Sequence, residues 1–335
     1  MYIFCTDQSD EENNMRKSIA LLVSIVLLLA LAAPAMAQDG QDIVDVAVEN
    51  GSFTTLVAAV QQAGLVDALK AEGPYTVFAP TDDAFATLLE ETDMSAEDSL
   101  GAENLADILL YHVVAGAFDA QSVIELVGDA DYVLVDTLAG IPVKVSVDMG
   151  NVYINDAMVV LPDVEASNGV IHVVDSVIMP PSKTITAIVV ESAGMEDNAE
   201  FTVLLAAVSK ADLAEALAGE GPFTVFAPTD AAFATALEAL GITADDLLAS
   251  EDLPSILLYH VVGGEKALYS SDVAAALAEA GDEGIMIETL NGTSITVTAD
   301  EDGIYLDGAK IIMTDILASN GVIHVIDAVI LPPAE

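Results

Sequence analysis

The amino-acid sequence predicts an α+β fold built twice in tandem, and three observations carry that expectation. GPYTVFAPTD at residues 73–82 returns as GPFTVFAPTD at 221–230, 148 positions later. ILLYHVV at 108–114 returns unchanged at 256–262, and SNGVIHVVD at 167–175 returns as SNGVIHVID at 319–327, now 152 positions on. Within each copy, apolar stripes of helical period come first and alternating, strand-like patterns come later, which argues against repeating βαβ units. A unit of about 145 residues is far longer than the 20–50 residues of a solenoid repeat, so the copies are separate domains. We place them at 41–181 and 184–333. The boundary falls at Pro180-Pro181-Ser182-Lys183, because paired prolines cannot continue a helix and make a short, stiff linker.

The chain opens on a leader. Met15-Arg16-Lys17 is basic, Ile19 to Leu31 is an apolar run, and Pro34 leads into Ala35-Met36-Ala37. Basic stretch, apolar stretch and small-x-small motif together read as a secretory signal over residues 1–37. A membrane anchor would need about 20 apolar residues and no cleavage motif. Residues 1–14, acidic and holding the lone Cys5, fit poorly ahead of such a signal, so Met15 is an alternative start. The mature chain is expected to begin at Gln38 and to be released or held non-covalently.

Inside copy one, Ser52 is expected to cap a helix whose Phe53, Leu56, Val57 and Val60 share a face; Phe201, Leu204, Leu205 and Val208 repeat it. Tyr75 to Phe78 reads as a short strand. Pro80-Thr81-Asp82-Asp83 starts the next helix, with Thr81 as cap and the acids beside the positive end of its dipole. Ala84, Phe85, Leu88 and Leu89 form the buried face. Val143–Val147 and Ile295–Thr298 alternate as half-buried strands, and Met149-Gly150-Asn151-Val152 and Asp300-Glu301-Asp302-Gly303 read as hairpin turns. Asn168-Gly169 and Asn320-Gly321 read as tight turns with a positive φ, each before a final strand.

Composition narrows the function. The 335 residues are 53% apolar and 19% charged, enough for packed cores and against disorder. The 55 acids against 8 basic residues give a net charge of −47, which excludes a phosphate backbone as partner. With Cys5 the single cysteine, the body of the protein has no disulfide and no thiol chemistry. Removing the leader leaves 51 acids and six lysines. Such an excess fits either a salty habitat, where repulsion is screened, or simply an acidic surface that keeps an exported protein soluble.

The TVFAPTD, LLYHVV and SNGVIHVID blocks, in this order and twice, resemble the fasciclin (FAS1) domain, and the chain is similar to exported prokaryotic proteins with two such domains. The resemblance covers nearly all of the mature chain. It implies two tandem domains, each a β-wedge of two small sheets flanked by helices, and a non-enzymatic role in adhesion to extracellular matrix or cell surfaces. It implies no cofactor. By position, the family's Tyr-His adhesion motif falls on Leu110, Tyr111, His112 and Val113 and on Leu258, Tyr259, His260 and Val261. Its Asp-Ile stretch falls on Asp163 and Val164 and on Asp315 and Ile316. Met313 and Thr314 stand where some animal members carry a basic residue before the aspartate, which weakens any integrin-type reading.

Each of these groups has a plainer reading. The four histidines, His112, His172, His260 and His324, lie in apolar, strand-like segments, where a hydrogen-bonded core imidazole is expected. Tyr111 and Tyr259 suit core packing. Two histidines per copy without metal-ligand spacing argue against zinc. The Asp300–Gly303 turn fails as an EF-hand, since its glycine frame puts Thr298 and Ala309 at ligand positions. Three function classes follow. The expected one is an adhesion protein whose partner is an extracellular or cell-surface protein, a polysaccharide or a second copy. The alternatives are a soluble carrier of a small apolar ligand and a hydrolase, although no Gly-x-Ser-x-Gly elbow or phosphate loop is present.

Overall fold

A computed structural model describes residues 40–195 and 199–333. The leader expected at 1–37 lies outside the described residues. The chain divides into two compact units that meet between Pro180 and Pro181.

Unit one begins with the helices Ile43–Asn50, Thr54–Gln62 and Val66–Leu69. The second starts one residue later than its apolar stripe suggests, and its cap is not Ser52. Phe53 occupies the cap position without a side-chain bond. Instead the Asp82 carboxylate accepts from the Thr54 amide at 3.2 Å, the Thr54 hydroxyl at 2.8 Å and the Thr55 amide at 2.8 Å. The Ser52 carbonyl accepts the Asp82 amide in return, at 3.0 Å. Thr81 does cap the helix Asp82–Thr92, its hydroxyl oxygen accepting from the Ala84 amide. Adjacent residues thus serve the starts of two different helices, and Asp230 repeats the arrangement on Thr202 and Val203.

The strands of unit one are β1 Tyr75–Pro80, β2 Val113–Ala115, β3 Val133–Asp136, β4 Pro142–Asp148, β5 Asn151–Ile154, β6 Ala157–Ala166 and β7 Gly169–Val174. Their order is β2-β1-β7-β6-β5-β4-β3. β1 and β7 pair in parallel, Tyr75 opposite Gly169, and the other pairs are antiparallel. β6 holds two small sheets together: Ala157 and Met158 pair with β5, while Val159 onward pairs with β7 through two register shifts. The hairpin between β4 and β5 turns at Met149 and Gly150, with φ of 49° and 85°, the primed geometry that matches strand twist. Unit two repeats the plan with β8 Phe223–Pro228, β9 Val261–Gly263, β10 Ile285–Glu288, β11 Ser294–Asp300, β12 Gly303–Leu306, β13 Ala309–Ala318 and β14 Gly321–Ile326.

Side-chain alternation along β1 divides the core. Val77 and Ala79 face the helices, packing with Phe53, Leu56, Phe85 and Leu109. Phe78 faces the other way, onto Tyr111, Val143, Ile154 and Ile178. Unit two holds the matching clusters around Phe201 and Phe226. Leu88 and Leu89 are only half-buried, so Ala84 and Phe85 anchor their helix.

Few lysines offset the acids. Among the described residues Lys70 pairs with Asp42 at 2.9 Å and Asp45 at 2.6 Å, Lys183 with Glu191, and Lys266 with Asp272. Mutual repulsion of the remaining carboxylates falls as the Debye length shrinks to about 3 Å at 1 M salt. The melting temperature is therefore expected to rise by about 5 °C or more between 0.05 and 1 M NaCl, at about 2–4 °C per kcal/mol. A scan that stays flat with salt leaves the acidic surface a solubility feature only.

Candidate functional site

The LLYH segments, expected to be strand-like, are helix ends instead. Leu110 and Tyr111 end the helix Leu105–Tyr111, and His112 is its C-cap with φ −85° and ψ 0°. Tyr111 is 1% exposed, and Val113 is buried while Leu110 is half-buried. The Tyr111 hydroxyl donates to the Pro142 carbonyl at 3.1 Å and accepts from the Asn155 amide group at 3.1 Å. Asn155, at φ 54°, fixes that contact by exchanging bonds with the Lys144 backbone. In unit two an aspartate replaces this asparagine: Asp307 lies 2.6 Å from the Tyr259 hydroxyl, which also faces the Ser294 carbonyl at 3.1 Å. Burial and the nearby Asp307 carboxylate push the Tyr259 phenol up.

All four imidazoles are interior and fully bonded, as the plainer reading of the sequence expects. His112 donates from Nδ1 to the Ile108 carbonyl at 2.7 Å and accepts the Ile178 amide at Nε2, 3.2 Å away. His260 repeats this with Ile256 and Ile330. His172 takes the opposite tautomer: Nε2 donates to the Phe118 carbonyl at 2.7 Å, and Nδ1 accepts the Asp163 amide at 3.3 Å. His324 does the same with Leu268 and Asp315. On each ring one nitrogen faces a backbone carbonyl and the other accepts a backbone amide, which fixes the tautomer.

The Asp163-Val164 and Asp315-Ile316 pairs sit in β6 and β13, where the strand bulges. Asp163 and Asp315 both adopt φ 59°, a left-handed conformation that aspartate tolerates better than most residues. The bulge frees the Asp163 carboxylate to accept the Ala120 amide at 2.8 Å, at the start of the helix Ala120–Val127. Asp315 accepts the Ser270 amide at 2.8 Å and the Ser270 hydroxyl. Val164 and Ile316 are half-buried against the helix-side cores. The structure thus joins Asp163 to His172 and Asp315 to His324. It does not bring the Tyr-His motif to the same place; Phe78 links the two, its amide on the His112 carbonyl and its ring stacked on His172 at 6.1 Å.

The turns fall one residue earlier than expected, on Ser167-Asn168 and Ser319-Asn320; Gly169 and Gly321 open the final strands, and a positive φ is not what they share. A Cβ on Gly169 would stand 2.0 Å from the Tyr75 carbonyl oxygen, and one on Gly321 would stand 1.9 Å from that of Phe223. Glycine is required by the close pass of the parallel strand. Asn168 accepts the Ile43 amide and donates to the Leu69 and Ala71 carbonyls, tying two helix ends to the sheet. Asn320 does so for Ile185, Leu217 and Gly219.

Sequence reasoning misses a feature at the bulge. On the bulged strand Val160 and Leu161 are 47% and 50% exposed, and on the exit segment Met179 is 45% exposed; their counterparts 152 positions on, Ile312, Met313 and Leu331, are equally open. The signal was available: Met158 to Leu161 is apolar without alternation, so a strand must show some of it to solvent.

A second apolar feature is a cleft in unit one between the helices and β1 and β7, with Val44, Ala47, Val57 and Leu110 in its wall. It holds about 40 Å³, room for the tip of a side chain, against the roughly 300–1,000 Å³ of ligand pockets. Its counterpart in unit two, with Val189 for Ala47 and Leu205 for Val57, holds about 30 Å³. Among the described residues, no three or more His, Cys, Asp or Glu are placed to hold a metal ion, and no helix is long and apolar enough to cross a membrane.

Comparison with known proteins matches the fasciclin domain model to residues 51–180 and 199–332. Protein sll1483 of Synechocystis sp. (strain ATCC 27184 / PCC 6803 / Kazusa) is 47% identical over 152 residues, covering 45% of this chain and 81% of its own length. Transforming growth factor-beta-induced protein ig-h3 of Sus scrofa is 30% identical over 289 residues; the match takes in 84% of this chain and 38% of that protein. A solved FAS1 domain pair from the insect cell adhesion molecule Fasciclin I covers 85% of this chain and 98% of its own, at 20% identity and a TM-score of 0.39.

Proposed function

The chain belongs to the fasciclin domain family, and from that premise we propose that it is an exported, non-enzymatic adhesion protein that binds through both units. Fasciclin domains occur in cell-adhesion and extracellular-matrix proteins. The observation that carries the reading for this chain is the matched set of exposed apolar residues, Val160, Leu161 and Met179 in one unit and Ile312, Met313 and Leu331 in the other. Val160 and Leu161 share strand β6 with Asp163-Val164, and Ile312 and Met313 share β13 with Asp315-Ile316. We place the contact there, on a cell-surface protein, an extracellular polysaccharide or a second copy of the chain. Tyr111, His112, Tyr259 and His260 act in this reading through the fold they hold, because their side chains are interior.

Substituting Leu161→Glu together with Met313→Glu tests it. Both side chains are half exposed or more, so the fold is expected to keep its melting temperature within about 3 °C, the usual range for surface changes. Retention on producing cells, on their extracellular polymer and on immobilised chain is expected to fall at least tenfold on whichever surface holds the parent protein. Undiminished retention removes the contact from these residues.

A further inference from the structure

Each unit ends on a segment whose hold depends on an imidazole without its second proton. In unit one the chain leaves β7 through Val177 and Ile178 to Pro180, and Ile178 is 3% exposed in the core beside Tyr111. Its amide donates to Nε2 of His112, 3.2 Å away, in the buried interior. In unit two the Ile330 amide does the same to His260 before Pro332. Because Nδ1 already donates to the carbonyl four residues back, the ring can accept at Nε2 only while neutral. A second proton would set an N–H against the amide N–H and leave a charge in an apolar interior.

We propose that His112 and His260 are acid-released latches for the segments by which the chain leaves each unit. The charged groups on the elements around them stand apart from the rings. For His112 these are Asp107 on its own helix, Asp45 and Glu49 on Ile43–Asn50, Asp67 and Lys70 around Val66–Leu69, Asp82, Asp83, Glu90 and Glu91 on Asp82–Thr92, Glu97 and Asp98 on Ala96–Leu100, and Asp175 ahead of the exit. All are exposed or only part-buried, with Lys70 already taken by Asp42 and Asp45. For His260 they are Asp252, Glu191, Lys210, Glu215, Asp230, Glu238, Asp245, Asp246 and Asp327, again exposed or part-buried. The buried hydroxyls of Tyr111 and Tyr259 are bonded elsewhere. His172 differs in its surroundings, with the Asp163 carboxylate 4.0 Å from its ring.

The pH window follows from the two states of the ring. Burial pushes His112 and His260 down to about 4, while an imidazole in water takes its proton near pH 6.5. The open state therefore binds more protons between those values, and acid favours opening; the hold is complete above pH 6.5 and is lost as the pH falls toward 4. One proton per latch makes the opening constant grow about tenfold per pH unit in that window.

The test is amide exchange by NMR on the whole chain from Gln38, from pH 7 to 4.5. Corrected for intrinsic exchange, protection of the Ile178 and Ile330 amides is expected to fall about tenfold per pH unit below pH 6. Core amides of β4 and β11 are expected to change far less. Histidine ring shifts in the same samples are expected to show His112 and His260 neutral until the segments open. In H112Q/H260Q, where a neutral amide oxygen takes over as acceptor, the dependence on pH is expected to vanish at both amides. Flat protection in the unsubstituted chain overturns the proposal, whether or not the variant folds, and so does an unaltered pH dependence in a folded variant.

Discussion

Replacing Gly169 by alanine is expected to unfold unit one. The new methyl carbon would stand 2.0 Å from the Tyr75 carbonyl oxygen, 2.9 Å from the carbon behind it and 2.9 Å from the Ile43 Cδ1 atom. Two of these atoms are backbone of β1, so no rotamer change relieves the overlap. The parallel β1–β7 pair must part by roughly an ångström to restore ordinary van der Waals contact. That loses the Tyr75 amide bond to the Asn168 carbonyl, 3.0 Å long, and shifts the Asn168 side chain that serves Ile43, Leu69 and Ala71. Several buried polar groups left unpaired at about 1–3 kcal/mol each put the cost above about 4 kcal/mol. Calorimetry is expected to show about half the unfolding enthalpy missing from the parent transition, or displaced downward by about 15 °C or more. Gly321→Ala should do the same to unit two, through Phe223. Gly51→Ala is the control: its φ of 77° carries strain but nothing lies within 4 Å, so the loss stays near 1 kcal/mol. A Gly169→Ala protein melting within 3 °C of the parent contradicts this account of the strand crossing.

What the sequence disclosed was mostly what neighbouring residues decide. The Thr81 cap, the Met149-Gly150 hairpin and the alternation of β4 depend on contacts within a few positions, and all appear as expected. The duplication was legible for a different reason, since two copies of one pattern need no structure to be compared. Ser52 failed as a cap because the acceptor comes from Asp82, 27 and 28 residues beyond the amides it serves, and no local pattern announces a carboxylate that serves a helix other than its own. LLYHVV was misread because an apolar run of this length suits a buried helix end as well as a strand. The glycine of Asn168-Gly169 was found but its reason was not: closeness to Tyr75 is a fact about a strand 94 residues away. The candidate binding residues divided in the same way. Burial of Tyr111 and His112 agreed with the plainer reading of their chemistry, whereas the bulge at Asp163 and the exposed Leu161 depend on the register between β6 and β7.

Joint engagement of two modest contacts is the centre of the proposed function. When a short linker holds two sites together, the second encounter takes place at an effective concentration in the millimolar range, and overall affinity can exceed either site by about 10²–10⁴. The direct measurement is dissociation of the whole chain from its extracellular surface, comparing the parent with Leu161→Glu alone and Met313→Glu alone. Each single variant keeps one intact unit and so reports the contribution of pairing. Dissociation at least tenfold faster for either one is the predicted result. Single variants that leave at the parent's rate would contradict the account, because one unit would then be holding on by itself.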